Sequence, residues 1–272
     1  MRPRVFSNKD ALGRQYGSEA EGRILRCGDY VTALVDLPDV DLIFTSPPYN
    51  IGSKAERQDG QRKQGKYDPK SFGSVRSYPD HLPEDLYQQS QRAFLAWGAA
   101  HLRPMGVIVY NHKPRHRDGV LIKPESWFPA DLVQIDEVVW DRGSTHNHCK
   151  SFLYQTTERL YILQRRDSVE RGVRAFFATD GMRDVWKIER EFRKGKLHDA
   201  TFPLALAQRV IRLWSPTDGL VCDPYSGSGT TMLAAAIEGR RFYGSELMSC
   251  HFEAAEGRYQ ELCGAKQMLV GG

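Results

Sequence analysis

The sequence predicts an α/β fold with a mostly parallel β-sheet, and two observations carry this prediction. Short runs rich in β-branched and aromatic residues are each followed by turn residues; they lie at 41–45, 106–110, 135–140, 158–163, 219–223 and 241–245. Helical patterns lie between them, at 83–102, 203–214, 229–238 and 249–262. Strands that alternate with helices need crossover connections, which make the strands parallel. The neighbouring runs 135–140 and 158–163 are predicted to close as an antiparallel pair at the sheet edge.

The composition fits one large α/β domain rather than a disordered chain. Of the 272 residues, 40% are hydrophobic and 26% are charged, as in ordinary globular proteins. The net charge of +4 permits a polyanionic partner without requiring one. The five cysteines are dispersed without a C-x-x-C pair, so we expect reduced thiols in a cytoplasmic protein rather than disulfides or structural zinc. The sequence contains no apolar stretch typical of an export signal or a membrane span.

Three basic stretches interrupt the alternation of strands and helices. Residues 52–80 contain seven Lys or Arg, residues 165–196 contain ten, and residues 111–130 mix basic residues with histidines and aromatic residues. Loops this long inside a compact domain are usually functional or disordered. The stretches are therefore either a surface for an anionic partner or ordinary solvated loops.

The segment 223–231, DPYSGSGTT, follows an apolar run and precedes a helical pattern. An acidic residue at a strand end, followed by G-x-G at a helix start, is how an α/β sheet receives an adenosyl ligand. The glycines let the backbone approach that ligand closely, and without a G-K-[ST] lysine a triphosphate-binding loop is disfavoured. A short glycine turn alone is weak evidence. Glu246 strengthens it, because an acid at the end of the following strand can bind ribose hydroxyls.

The segment 45–50, TSPPYN, follows the apolar run 41–44. Two prolines fix φ and remove two N–H donors, which leaves a rigid turn whose carbonyls face outward. Such a turn presents hydrogen-bond acceptors, which the binding of an amino group requires. A plain proline turn between a strand and a loop is the alternative. Pro-Pro flanked by a hydroxyl, an aromatic ring and an amide favours a functional turn.

Together, TSPPYN and DPYSGSGTT resemble the amino-methyltransferases that modify N4 of cytosine or N6 of adenine in DNA. Those enzymes carry [D/N/S]-P-P-[Y/F] at the catalytic turn and D-P-F-x-G-S-G-T-T at the cofactor turn; here Tyr225 replaces the usual phenylalanine. The catalytic turn comes first in the chain, as in the permuted β group. Residues 27–29 (CGD) and 198–205 (HDATFPLA) resemble further segments of the family.

The resemblance implies a Rossmann-like, seven-stranded methyltransferase sheet in a single permuted domain, residues 1–272. A catalytic half would span about 24–165, a short recognition insert about 165–197 and a cofactor-binding half about 198–262. The implied cofactor is S-adenosyl-L-methionine, with no metal, because its sulfonium methyl is already an electrophile. Double-stranded DNA is the implied partner, in a prokaryotic or phage-encoded cytoplasmic protein. A homodimer and a cognate restriction endonuclease are left open.

The predicted catalytic residues are Ser46, Pro47, Pro48 and Tyr49. The exocyclic amine of a base is a poor nucleophile, because its lone pair is delocalised into the ring. By the resemblance, and because the amine needs acceptors, Ser46 Oγ and the Pro47 carbonyl are expected to accept its hydrogen bonds. Tyr49 is expected to stack on a flipped base through its ring, with the hydroxyl dispensable.

The resemblance also assigns the cofactor side. Glu246 would hold the ribose, Asp29 would lie near the adenine amino group, and residues 201–203 would cover the methionine tail. The full set of predicted cofactor contacts is Asp29, Thr45, Thr201, Phe202, Pro203, Asp223, Tyr225, Gly227, Gly229, Thr230 and Glu246. The predicted DNA contacts in the basic stretches are Lys54, Arg62, Lys63, Lys66, Lys113, Arg115, Arg174, Arg183 and Lys187.

Two other functions compete with DNA amino-methylation. One is the same chemistry on an RNA base or a protein side-chain amide; Ser46 argues against the protein case, which an N-P-P-Y turn would favour, and the basic stretches favour nucleic acid. The other is a non-catalytic DNA-binding protein, against which the intact turn and Glu246 argue. Serine at position 46 is commoner in the N4-cytosine enzymes, so N4 of cytosine is favoured and N6 of adenine is the alternative.

Four histidines and one cysteine lie near one another in the sequence, but their spacing matches no known zinc-binding motif. They are His112, His116, His146, His148 and Cys149. Phosphate or base contacts and ordinary surface positions are both compatible with their spacing. Phe94 and Trp97, on the helical pattern 83–102, are expected in the core.

Overall fold

The computed structural model describes residues 13–51, 82–143, 152–172, 177–179, 182–190 and 201–270. These residues contain eleven strands, nine of which form one sheet. The strands are β1 (Gln15–Tyr16), β2 (Arg23–Cys27), β3 (Val40–Thr45), β4 (Leu102–His112), β5 (Arg115–Arg117), β6 (Val120–Ile122), β7 (Leu132–Asp141), β8 (Thr157–Arg165), β9 (Val185–Lys187), β10 (Leu220–Asp223) and β11 (Arg241–Glu246). Strands β5 and β6 form a separate antiparallel hairpin.

The helices are α1 (Tyr30–Ala33), α2 (Glu84–Ala100), α3 (Arg166–Glu170), α4 (Leu204–Trp214), α5 (Thr230–Ile237) and α6 (Ser249–Val270). A 3₁₀ turn spans Pro124–Trp127. Helices α2, α4, α5 and α6 confirm the four predicted helical patterns. No described helix is long and apolar enough to span a bilayer.

The order of the strands in the sheet is β1-β2-β11-β10-β3-β4-β8-β7-β9. Strands β2, β11, β10, β3 and β4 are parallel to one another, and β8 lies antiparallel between β4 and β7. The seven longer strands confirm the predicted mostly parallel, Rossmann-like sheet, to which β1 and β9 add short edges. The antiparallel pairing of β7 with β8 is also confirmed. The prediction that this pair forms the edge is wrong, because β9 pairs with β7.

Strand β3 shows why the central strands are almost entirely apolar. Successive side chains of a strand point to opposite faces of the sheet. Leu42 and Phe44 lie in one hydrophobic cluster with residues of α4 and α5, whereas Ile43 lies in a second cluster with residues of α2. Because helices cover both faces, this strand has no solvent side. The two clusters hold the carboxyl ends of the parallel strands in a fixed arrangement.

Strand β2 was missing from the predicted set of strands. Its sequence, RILRC, places two arginines in an otherwise apolar run. The structure accommodates both charges at the periphery: Arg26 pairs with Asp36, and the Arg23 guanidinium lies 4.1 Å from the ring centre of Tyr259. Because the two arginines interrupt its apolar pattern, the sequence did not predict this strand, which pairs directly with β11.

Two of the basic stretches contain more regular structure than predicted. Residues 111–130 include the end of β4, the β5–β6 hairpin and the 3₁₀ turn, and residues 165–196 include α3 and β9. Trp186 of β9 is buried, with its ring centre 5.9 Å from that of Trp214. This tryptophan therefore belongs to the core. The stretch 52–80 lies outside the described residues.

Candidate active site

The two sequence motifs meet at the carboxyl edge of the sheet. Strand β3 ends at Thr45 and β10 ends at Asp223, and these strands are neighbours. On the other side of β10, strand β11 ends at Glu246, which pairs in register with Cys27 at the end of β2. The parallel sheet thus brings TSPPYN, DPYSGSGTT, Glu246 and the CGD segment to one place, where α/β sheets bind ligands.

A buried carboxylate joins the two motifs. The Thr45 hydroxyl donates to Asp223 Oδ1 at 2.7 Å, and the Thr231 hydroxyl donates to Oδ2 at 2.6 Å. The backbone N–H of Tyr225 donates to Oδ1 at 3.1 Å. Asp223 is only 1% exposed, and burial raises the pKa of its carboxyl to about 6, against the lowering effect of these hydrogen bonds. Asp223 therefore fixes the catalytic turn relative to the glycine turn.

Glu246 holds the glycine turn in place. Its Oε2 accepts the Gly227 N–H at 2.8 Å, and its Oε1 accepts the Met248 N–H at 2.8 Å. The residue is 1% exposed, so a ribose would reach its carboxylate only by displacing part of this turn. A carboxylate accepts hydrogen bonds from hydroxyl groups, so the chemistry of ribose binding is present.

The glycine turn itself cannot carry larger side chains at its helix end. Gly229 has φ of 77°, and a Cβ atom there would lie 2.7 Å from the Cβ of Ala255 in α6. Thr230, the next residue, accepts a hydrogen bond from Arg258 Nη1 at 3.1 Å. The turn is therefore packed against α6 and anchored by it.

Asp29 lies beside this turn, at the start of α1. Its carboxylate accepts the Val31 N–H at 3.0 Å as a helix cap, and the preceding Gly28 N–H bonds to the Glu246 carbonyl at 2.9 Å. The pairing of β2 with β11 thus places Asp29 and Glu246 next to each other across two strand ends. Asp29 and Glu246, which the sequence assigned to the adenine and the ribose of an adenosyl group, therefore lie at the same edge of the sheet.

Aromatic rings form one side of the cofactor turn. The Tyr225 ring lies 5.2 Å from Phe94 and 5.6 Å from Tyr30, and Tyr30 also contacts Trp97 at 4.8 Å. Phe94 is fully buried, as predicted, while Trp97 is half-buried at this cluster. Across β3, the half-buried Phe202 ring lies 4.7 Å from Phe44, so residues 201–203 lie against the strand that ends in the catalytic turn.

The proline carbonyls of the catalytic turn differ in their partners. The Tyr87 hydroxyl donates to the Pro48 carbonyl at 2.9 Å, and its oxygen lies 2.6 Å from His112 Nε2. Among the described residues, no hydrogen bond to the Pro47 carbonyl is found. His112 is completely buried, and burial lowers its pKa to about 3, so the ring is neutral. The expectation of a surface or phosphate-contacting role for His112 is therefore wrong, because its ring supports the turn from inside.

Ser46 and Tyr49 share a partly buried polar network that the sequence did not predict. Ser46 Oγ lies 2.7 Å from the Tyr49 hydroxyl, which donates to Glu158 Oε2 at 3.0 Å. The Asn111 amide lies within 3.3 Å of Ser46 Oγ, 3.0 Å of the Tyr49 oxygen and 3.2 Å of Glu158 Oε2. Burial, followed by the Glu158 charge, raises the pKa of Tyr49 well above its ordinary value.

The far side of this network is an ion pair. Arg142 Nη1 donates to Glu158 Oε1 at 2.7 Å, with 4% of Arg142 and 6% of Glu158 exposed. Arg142 Nη2 also donates to the Gln155 carbonyl at 2.7 Å. The only sequence signals for this pair were an acidic residue at the start of the run 158–163 and a basic residue directly after β7. Neither signal identifies its partner, so spacing alone could not find the network.

The Tyr49 ring is held on more than one side. The ring of His112 lies 4.4 Å from it, centre to centre, and Lys113 Nζ lies 5.7 Å from its centre. Lys113, predicted to contact DNA, is 9% exposed at this position. It lies beside the catalytic turn, with Asn50, Arg117 and Gln155, around a cavity of about 210 Å³.

Arg115 is placed differently from the prediction that it contacts DNA. Its two terminal nitrogens bond to both carboxylate oxygens of Glu84 at 2.9 and 2.7 Å, and the residue is 4% exposed. Its guanidinium also lies 4.4 Å from the Tyr87 ring centre. Arg115 therefore joins the hairpin to α2, and a buried bidentate pair leaves it unsuited to a DNA phosphate.

The other predicted DNA contacts divide between exposed and undescribed positions. Arg183 and Lys187 are exposed on either side of the buried Trp186. Lys54, Arg62, Lys63, Lys66 and Arg174 lie outside the described residues, as do His146, His148 and Cys149. His116 stacks on Phe152 with ring centres 3.9 Å apart. Within the described ranges, no group of three or more His, Cys, Asp or Glu could hold a metal ion.

The acidic groups and the glycine turn at the sheet edge fit an adenosyl ligand. Acidic groups at Asp29 and Glu246 suit hydroxyl and amino groups, and the tight glycine turn allows close approach of a ligand to the backbone. Asp223 accepts three hydrogen bonds, from Thr45, Tyr225 and Thr231, so it shapes the site through the turns that these bonds connect.

Comparisons with known proteins agree with this geometry. Residues 40–257 match the family model for N6 and N4 methyltransferases, described as DNA methylase. The type II methyltransferase M.ScaI of Streptomyces caespitosus is 29% identical over 293 residues, covering 94% of this chain and 87% of that protein.

Solved structures share the fold at low sequence identity. The PvuII DNA methyltransferase, described as cytosine-N4-specific, superposes with a TM-score of 0.63 at 18% identity, covering 86% of this chain and 84% of that one. The M1.HpyAVI–SAM complex superposes with a TM-score of 0.56 at 19% identity, covering 87% of this chain and 98% of that one. At these identities, the similarity supports the fold alone.

Proposed function

Because this chain belongs to the DNA methylase family of N6 and N4 methyltransferases, we propose that it transfers the methyl group of S-adenosyl-L-methionine to the exocyclic amino group of a base in double-stranded DNA. The base would be flipped out of the duplex, since its amino group is otherwise paired and stacked. We propose N4 of cytosine as the favoured target, on the basis of Ser46, with N6 of adenine as the alternative.

One observation carries the proposal. The catalytic turn and the glycine turn are linked by the 2.7 Å hydrogen bond from Thr45 to Asp223. A turn rich in acceptors is thereby fixed beside a turn suited to an adenosyl ligand. Aligning an amine with a methyl donor is the main requirement of this reaction.

The proposed role of each residue in the turn follows from its free hydrogen-bonding capacity. Ser46 Oγ and the Pro47 carbonyl would accept the two N–H bonds of the amine and turn its lone pair toward the methyl donor. The Pro48 carbonyl is already bonded to Tyr87, so it is a poorer candidate. The Tyr49 ring, supported by His112, would stack on the flipped base.

The proposed cofactor site lies at the ends of β2, β11 and β10. Asp29 would bind the adenine end, Glu246 the ribose, and residues 201–203 would cover the amino-acid tail. S-Adenosyl-L-methionine would supply a methyl group bound to a positively charged sulfur. The protein's residues would orient it, with Tyr225 and its aromatic neighbours closing one side and Gly227 and Gly229 allowing close approach.

We propose that the domain has the three parts inferred from the sequence, with base-specific contacts from about 165–197. The exposed Arg183 and Lys187 would contact DNA from this insert, together with Lys113 near the turn and the undescribed Lys54, Arg62, Lys63, Lys66 and Arg174. Trp186 is excluded from that role by its burial. Exchanging the insert for that of a related enzyme is expected to change the methylated sequence.

The proposed function is tested by expressing the gene in a host that lacks DNA methylation and sequencing the host DNA with modification-sensitive reads. The proposal predicts N4-methylcytosine at one recognition sequence. N6-methyladenine at one sequence would keep the mechanism and change the base. Unmodified DNA from cells that contain folded protein would reject the proposal.

A further inference from the structure

The bond between Tyr49 and Glu158 determines which way the hydrogen bonds of the catalytic turn run. A phenol hydroxyl has a single proton to donate. The Tyr49 hydroxyl donates it to Glu158 Oε2 at 3.0 Å. In the 2.7 Å contact between Ser46 Oγ and the Tyr49 oxygen, Ser46 must therefore be the donor. The chain of bonds runs in one direction, from Ser46 through Tyr49 to Glu158.

This direction leaves Ser46 Oγ as an acceptor only. Its one proton is engaged with Tyr49, so any further partner must donate to it. The Asn111 amide, 3.3 Å away, can occupy one of its two lone pairs. Ser46 is half-buried rather than enclosed, so its other lone pair remains within reach of a ligand. An amino group can donate to this oxygen, and a carbonyl oxygen cannot.

We propose that Glu158 is a positioning residue that, acting through Tyr49, holds Ser46 as an acceptor and so selects an amino group over a carbonyl at the target base. This inference rests on the proposed function. It assigns to a carboxylate that does not touch the base the part of the discrimination between cytosine and uracil, or between adenine and hypoxanthine, that Ser46 contributes beside the Pro47 carbonyl. A site built for one hydrogen-bonding pattern rejects its reverse strongly, because buried groups would be left unpaired.

Arg142 keeps the carboxylate in this role. A buried, unpaired carboxylate is costly, whereas a hydrogen-bonded pair offsets much of that cost. The 2.7 Å bond from Arg142 engages Oε1 and leaves Oε2 facing Tyr49 and Asn111. Arg190, whose Nη2 lies 3.8 Å from Oε1, adds a second positive charge on the same side. The ion pair therefore gives the two carboxylate oxygens different partners: Oε1 is bound by the arginines, and Oε2 accepts the hydrogen bond from the Tyr49 hydroxyl.

Because the two oxygens have different partners, Glu158→Gln should reverse the direction of the hydrogen bonds between Glu158, Tyr49 and Ser46. An arginine has no acceptor, so Arg142 would require the amide oxygen of the new side chain at the Oε1 position. The amide NH₂ would then take the Oε2 position and face Tyr49. Tyr49 would become the acceptor of that bond and would donate to Ser46, which would free the Ser46 proton for an outside acceptor. The substitution preserves shape and reverses the hydrogen-bond chain.

The experiment uses the full-length protein and duplexes that contain its methylated sequence, with the target cytosine present or replaced by uracil; for an adenine target, hypoxanthine is the replacement. Binding of each duplex and single-turnover methylation are measured for wild type, Glu158→Gln, Tyr49→Phe and the double variant. Glu137→Gln is the matched control. Glu137, on β7, forms an ion pair with Arg159 of β8, with 2.8 Å between Oε1 and Nε, and neither residue belongs to this network. Thermal melting and cofactor binding report folding.

We expect Glu158→Gln to lower the single-turnover rate at least tenfold and to reduce the preference for the amino base over the carbonyl base about tenfold. Tyr49→Phe removes the hydroxyl that connects Glu158 to Ser46. In that background, Glu158→Gln should change the rate less than about threefold, because the effects of coupled residues are not additive. Glu137→Gln should behave as wild type.

An unchanged base preference in folded Glu158→Gln, or an equal loss of rate with and without the Tyr49 hydroxyl, would overturn the inference. If Glu158→Gln does not fold, Tyr49→Phe alone serves the test, since it must also weaken the preference. A wild-type protein that methylates no DNA would instead count against the proposed function, so the two failures are distinguishable.

Discussion

The Thr45 hydroxyl donates a 2.7 Å hydrogen bond to Asp223 Oδ1, and this bond spans 178 residues of sequence. Thr45 is the last residue of β3 and Asp223 the last of β10, so each lies at the start of a motif turn. Asp223 accepts a second hydroxyl, from Thr231, on its other oxygen. One buried carboxylate therefore connects the catalytic turn, the glycine turn and the helix that follows it.

Replacing either threonine tests the separate contributions of this connection. Thr45→Val and Thr231→Val each remove one hydroxyl that donates to the same carboxylate. We expect each to lower the free energy of unfolding in urea by about 1–3 kcal/mol, the cost of leaving a buried acceptor short of one donor. Only Thr45→Val should also lower the methylation rate per folded molecule, since only Thr45 adjoins Ser46. Equal rates in the two variants would show that the connection is purely structural.

The raised pKa of Asp223 predicts a dependence of stability on pH. Burial raises this pKa from its ordinary value near 4 to about 6, so the folded protein binds more protons than the unfolded chain between those values. This group should therefore make folding less favourable as the pH rises from 4 to 6, by up to roughly 3 kcal/mol, and should add no further change above pH 7. The difference in unfolding free energy between wild type and Asp223→Asn should follow this course. Asp136→Asn, which removes a carboxyl at an exposed position, is the control for the loss of one charge.

Glu246 is predicted to matter for cofactor binding through both of its oxygens. Glu246→Gln keeps the side-chain shape but sets an NH₂ against one of the backbone N–H groups of Gly227 and Met248. We expect the affinity for S-adenosyl-L-methionine to fall by roughly 1.5–3 kcal/mol, the range for a charged hydrogen-bonding group. Calorimetry measures it. Wild-type affinity in a variant that melts normally would remove Glu246 from the proposed ribose site.

Much of the fold was predictable because its central elements obey simple patterns. Residues 42–44 are apolar on both faces of their strand, the four helical patterns are periodic, and the ends of parallel strands meet at one edge. The two motifs could therefore be placed together from the sequence. Strand β2 was not predicted because Arg23 and Arg26 occupy it, and β9 was not predicted because three residues carry too weak a pattern.

The polar interior of the site was not predictable in the same way. Glu158 pairs with Arg142, and Arg115 with Glu84, across distances in sequence that no spacing rule encodes. Arg115 was predicted to contact DNA because an arginine in a basic stretch is ordinarily exposed. Its burial depends on an acid at the start of α2, which only the tertiary structure brings near.

The dispensability of the Tyr49 hydroxyl is a prediction that the geometry no longer supports, since this hydroxyl contacts Ser46 and donates to Glu158. We now expect the ring and the hydroxyl to have separable roles. Tyr49→Phe should retain capture of the flipped base, whereas Tyr49→Ala should weaken it by about 1–3 kcal/mol, the value of stacking. Fluorescence of 2-aminopurine at the target position measures capture. Equal losses in both variants would argue that the ring does not stack on the base.

Single-turnover methylation by Ser46→Ala tests whether Ser46 acts on the amine of a DNA base. The enzyme, saturated with labelled S-adenosyl-L-methionine, is mixed with a duplex that contains its site, and the methylated nucleoside is identified and timed. We expect N4-methylcytosine from wild type and a rate lower by roughly 10²–10³ in Ser46→Ala, with unchanged melting and DNA binding. A folded Ser46→Ala protein that methylates at the wild-type rate would contradict this role of Ser46.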